Sequence, residues 1–83
     1  GGRMPKATVS TTAWTEIHTT TADTVFQNQS GNKPMYLTTE TTGSLAFNEG
    51  FYLPPTAAVV IGTGQTVSAV TFQSESDIFY MEV

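Results

Sequence analysis

The chain has 83 residues, 16 of them threonine, no cysteine, one histidine, and a formal net charge of −4 from seven acids against three bases. Without thiols there are no disulfides and no thiolate metal sites, and the redox compartment cannot be read from the chain. Three bases do not make the clustered cationic face that nucleic acid or an anionic membrane requires, and no apolar run approaches the ~20 residues of a bilayer span.

Gly1-Gly2-Arg3 reads as an expression scar ahead of Met4, so residues 4–83 are taken as a single all-β domain. Met4 to Thr8 leads directly into polar, strand-like sequence, with no apolar core of a signal peptide. Threonine is β-branched, loses rotamer freedom in a helix and fits a half-exposed pleated surface. No window shows helical i, i+3, i+4 apolar spacing; short apolar pulses between turn residues recur instead.

In chain order the pulses are Ala7–Ser10, Ala13–His18 and Asp23–Asn28, then a Gln29–Asn32 turn and Lys33–Thr39. Pro34 suits a strand start or an edge, because proline donates no ladder hydrogen bond. Glu40–Glu49 is the least regular stretch, with Thr41-Thr42-Gly43 and Asn48-Glu49-Gly50 as turns. Phe51–Leu53 is halted by Pro54-Pro55, and Ala57–Ile61, apolar throughout, is expected to be buried on both faces. Gly62-Thr63-Gly64 turns into Thr66–Phe72, and Gln73–Ser76 turns into Asp77–Val83. Ser74-x-x-Asp77 resembles a helix capping box, but the short Ile-, Phe-, Tyr- and Val-rich run after it predicts a strand paired inside the sheet. This cadence predicts a small antiparallel β-sandwich or barrel of seven to eight short strands. A domain this size buries roughly 60% of its unfolded surface, and oligomerisation is the remaining common route to more burial, so a homo-oligomer is expected.

Groups for chemistry are scarce. Glu16 and His18, two apart, are expected on one strand face, too few for a zinc site. Six serines, His18 and two aspartates contain no nucleophile elbow, and Gly62-Thr63-Gly64 lacks the third glycine and helix of a phosphate loop. Asn28-Gln29-Ser30 matches a glycosylation sequon, a pattern frequent by chance. No catalytic residue, cofactor or metal is therefore assigned, and the chain is read as a non-enzyme. Trp14, Tyr36, Tyr52 and Tyr80 are candidate interface residues, since amphipathic aromatics are enriched at subunit seams; a sugar-stacking platform is the alternative. Gln29–Lys33, Thr39–Glu49 and Gly62–Gln65 are the loops expected to touch a partner.

Trp14-Thr15-Glu16-Ile17, Val25 to Asn28, Met35 to Leu37, Gly50-Phe51-Tyr52-Leu53-Pro54-Pro55 and a final strand ending in Glu82-Val83 follow one another in an order that resembles small all-β virion proteins of tailed bacteriophages. The resemblance implies a non-enzymatic structural protein. Its role would be capsid decoration (cement), as a homotrimer bound to the major capsid protein or another virion protein on the head exterior. It also implies a virion location after synthesis in the bacterial cytoplasm. The alternative is a carbohydrate- or receptor-binding module of a tail or fibre, with a glycan as ligand.

Overall fold

The computed structural model describes residues 6–83, so the reading of Gly1-Gly2-Arg3 as a scar lies outside the described residues. Eight strands are present: β1 (Lys6–Val9), β2 (Thr15–Thr19), β3 (Thr24–Asn28), β4 (Met35–Thr38), β5 (Phe51–Leu53), β6 (Ala58–Ile61), β7 (Thr66–Thr71) and β8 (Ser76–Glu82). One 3-10 turn, Phe47–Glu49, interrupts the long β4–β5 connection.

The strands form two four-stranded antiparallel sheets, sheet A in the order β1-β8-β3-β6 and sheet B in the order β2-β7-β4-β5. The chain doubles back at the β4–β5 hairpin, and β1 to β4 pair in turn with β8, β7, β6 and β5. That nested order, split across two sheets, is the topology of an eight-stranded jelly roll. The closing segment is strand, as its composition predicts, and it lies between β1 and β3. β4 is not an edge: it pairs with both β5 and β7, and Pro34 sits just before its first residue, where no ladder donor is needed.

Alternation places the core between the sheets. Val9, Phe26 and Ile78 from sheet A meet Met35, Leu37, Leu53, Val67 and Ala69 from sheet B, all essentially without solvent contact. Each of these side chains other than Ala69 contributes about 1.5–3 kcal/mol through removal from water.

Three expectations from periodicity fail for identifiable reasons. Ala57–Ile61 is not buried on both faces: β6 is the edge of sheet A, Val59 and Ile61 face the core, and Val60 is 60% exposed. Glu16 and His18 do not share a face. A bulge lies between them, so Glu16 pairs with Ser68 while His18 pairs with Val67, a core residue on the opposite face of β7. One inserted residue inverts the alternation of everything beyond it. Finally, the threonines are not only a surface. Thr20, Thr24, Thr38 and Thr71 are buried, each with its hydroxyl bonded to backbone. Thr20 Oγ1 donates to the Gly62 carbonyl at 2.6 Å and accepts the Gln65 N–H at 2.9 Å, tying the β2–β3 turn to the β6–β7 turn. Among the described residues no buried side-chain polar atom lacks a partner.

Candidate functional site

The two sheets do not meet a third element where β5 and β6 form their edges, and a cleft of about 380 Å³ opens between them on that side. Leu37 and Phe51 form the sheet B wall, and Val59 and Ile61 form the sheet A wall. The Leu37–Phe51 register turns the Phe51 side chain toward the inter-sheet space, yet it remains 56% exposed because β5 is a three-residue edge strand with no described residue packed beyond it. Glu40 and Glu49 line the same cleft from the β4–β5 connection. Glu49 Oε1 accepts the Ala46 N–H at 2.8 Å, which fixes one end of the 3-10 turn. Glu40 donates its backbone N–H to Thr38 Oγ1 at 3.0 Å. Neither carboxylate has an ion-pair partner among the described residues, where Lys6–Asp77 at 3.5 Å is the single pair. Lys33 is directed elsewhere, its ammonium donating to the Ser74 carbonyl at 2.9 Å and to the Ser74 hydroxyl.

The four aromatics singled out in the sequence are not brought to one place. Tyr36 and Tyr52 lie side by side on the outer face of sheet B, ring centroids 5.5 Å apart, with Phe72 5.6 Å from Tyr36. Tyr52 is 51% exposed. Trp14 adjoins them but is committed to its own molecule. Its indole N–H donates to the Leu45 carbonyl at 3.1 Å, and its ring meets Phe47 edge to face at 5.8 Å. Tyr80 belongs to the interior, stacked between His18 at 4.6 Å and Phe26 at 5.9 Å.

The β4–β5 connection reads as irregular in the sequence, and the structure shows what it does. With Trp14 it roofs the outer face of sheet B, so Ser68 and Val70, which alternate with core residues, are themselves buried. Gly50 marks the closest approach. A Cβ there would lie 2.7 Å from the Trp14 ring and 2.8 Å from the Leu37 carbonyl. Its backbone is extended, so the glycine is required by space rather than by conformation.

On the outer face of sheet A the situation is reversed. Val60, Val25 and Met81 are cross-strand neighbours on β6, β3 and β8. Among the described residues no segment covers them, and Val60 and Met81 are 60% and 46% exposed. The four sheet edges also differ. β1 begins with exposed Lys6, β2 carries the bulge, and β5 is three residues long and runs into Pro54-Pro55. β6 has four apolar residues and no charge, proline or bulge, the devices that blunt edge pairing.

His18 makes no hydrogen bond to a serine or carboxylate, and no three of His, Asp and Glu converge as a metal site, among the described residues. The sequon asparagine is structural. Asn28 is fully buried, its amide nitrogen directed at the Lys33, Leu53 and Pro54 carbonyls at 2.8 to 3.2 Å, and its oxygen accepts the Ser30 N–H. A glycan cannot be attached to that nitrogen in the folded domain. No helix is long and apolar enough to cross a membrane.

Part of the cleft coincides with Thr39–Glu49, one of the loops expected to touch a partner. The sequence missed Val59 and Ile61, since a run of five apolar residues carries no sign of which alternate side chains face the core. Comparison with protein-family models, curated proteins and solved structures returns no match. The class that the fold defines is an architectural one, a small jelly-roll β-sandwich.

Proposed function

We propose that the chain is a non-enzymatic structural protein of a bacteriophage virion: an oligomer, most directly a trimer, that binds and stabilises the head exterior as a decoration protein. The observation that carries this reading is the bare outer face of sheet A. Its row Val60–Val25–Met81 starts on β6, the edge strand without a blocking feature, and exposed apolar rows at open edges are surfaces for assembly. The order of strand and turn motifs supports it by resemblance. Jelly rolls also recur in viral capsid domains, an analogy at the level of fold alone. A decoration protein acts by mass action, stabilising the assembled shell that it binds over the opened one. Repeated attachment raises effective concentration, so weak single contacts suffice.

Light scattering coupled to size exclusion should give a defined oligomer, reduced to monomer by Val60→Lys. A strict monomer at high concentration in the unaltered chain would remove the oligomer reading. Sedimentation with undecorated capsids should carry the protein into the pellet, and its absence there would remove the decoration role.

The second reading is a glycan- or receptor-binding module. It is favoured by the Tyr36–Tyr52–Phe72 group, where Tyr52 offers an exposed ring face beside a second aromatic. A glycan array should then show binding that Tyr52→Ala abolishes; silence across the array dismisses it.

A further inference from the structure

The cleft between β5 and β6 has a chemistry different from the bare face of sheet A. Its walls are aliphatic and aromatic, from Leu37, Phe51, Val59 and Ile61, and both carboxylates that line it lack an ion-pair partner among the described residues. The chain's own described cations are committed elsewhere, Lys6 to Asp77 and Lys33 to Ser74. The volume, about 380 Å³, is within the range of ligand-sized cavities, roughly 300–1,000 Å³.

We propose that this cleft receives a long basic side chain, lysine or arginine, from an extended segment of a partner protein. An aliphatic stem removes its methylenes from water against the Leu37, Phe51, Val59 and Ile61 walls while its charged end stays near solvent. Glu40 and Glu49 supply the opposite charge there. The segment itself has room to run along the mouth, because β5 and β6 are both sheet edges and present unpaired backbone groups. An acidic side chain would be repelled, and a purely apolar one would leave the two carboxylates without a counter-charge. Val60 points outward from the same strand, so its substitution leaves the cleft walls Val59 and Ile61 in place.

The test is a titration of the full chain, followed by amide chemical shifts, with short extended peptides differing at one central residue: lysine, arginine, norleucine, acetyl-lysine or glutamate. The lysine and arginine peptides are expected to give saturable shifts confined to Leu37–Glu40, Glu49–Phe51 and Val59–Ile61. Norleucine and acetyl-lysine should bind several-fold more weakly, and glutamate not at all. Glu40→Gln and Glu49→Gln should each weaken the lysine peptide about two- to five-fold, as expected for exposed ion pairs. Val60→Lys should leave peptide affinity unchanged, which separates this site from the assembly surface. Equal binding of norleucine and lysine, shifts mapping elsewhere, or no saturable shift would overturn the proposal. So would binding of free 1,5-diaminopentane without binding of the lysine peptide, since that result defines a small-amine site.

Discussion

Val70 and Val60 both point away from the core, one on each sheet, yet Val70 is fully buried and Val60 is 60% exposed. The difference lies in the connections. β4 and β5 are joined by Thr39–Gly50, which is long enough to fold back over sheet B, where Trp14 pins it through Phe47, Leu45 and Gly50. The connections bordering β6 are tight turns that cannot reach the outer face of sheet A. One run is Pro54–Ala57, closed by the Ala57 N–H to Pro54 carbonyl bond at 3.1 Å, and the other passes through Gly62 to Gln65. A small sandwich has little chain to spare for its outer faces, and among the described residues this one covers the part of sheet B around Ser68 and Val70.

The roof can be broken first. Trp14→Ala is expected to cost about 3 kcal/mol, the low end for tryptophan truncation because the ring is only half-buried. Urea denaturation reads the loss, and hydrogen exchange should show it concentrated in residues 39–50. A loss below about 1 kcal/mol would mean that the segment is held without Trp14, since truncations of a packed ring normally exceed that. Gly50→Ala keeps the tryptophan but pushes a methyl into its ring and into the Leu37 carbonyl, and should cost about 1–3 kcal/mol by the same assay.

On the opposite side, the turn between β5 and β6 carries backbone strain. Thr56 has φ of 62° two positions after Pro54, in a turn closed by the Ala57–Pro54 bond, a place that favours glycine. Thr56→Gly should therefore raise stability by about 0.5–1 kcal/mol, the relief of strain exceeding the added freedom of the unfolded chain. The smallest expected effect on folding is at the bare face: measured at a dilution where the unaltered chain is also monomeric, Val60→Lys should change stability by no more than about 0.5 kcal/mol, while at high concentration it lowers the mass in solution. A large loss of stability would show that Val60 is held by its own molecule, and the contrast between the two faces would collapse.

Much of the fold was legible because the β-branched pulses are short and their punctuation is strong. Pro54-Pro55, Gly62-Thr63-Gly64 and Gln73–Ser76 fall at strand ends, and the Asp77–Val83 pulse becomes β8. The failures occur where local pattern does not encode the partner. The bulge at Ile17 depends on how β2 registers against β7, and nothing in Thr15–Thr19 announces it. Gly50 reads as a turn glycine but is needed because the Trp14 ring arrives from 36 residues away in sequence. Asn28 reads as a sequon, and its side chain satisfies carbonyls of the β3–β4 connection, the end of β5 and the β5–β6 connection.

The sequence alone determined that this protein is all-β, where its strands lie to within a residue or two at each end, and that its ionisable groups are few. Those properties follow from side-chain branching, turn residues and composition, which act within a few residues. Tertiary structure decided the rest: which of two valines is covered, which threonines staple turns instead of facing water, and which apolar residues wall a cleft. Those outcomes depend on pairing order across two sheets, and alternation within a strand cannot specify which face another segment will cover.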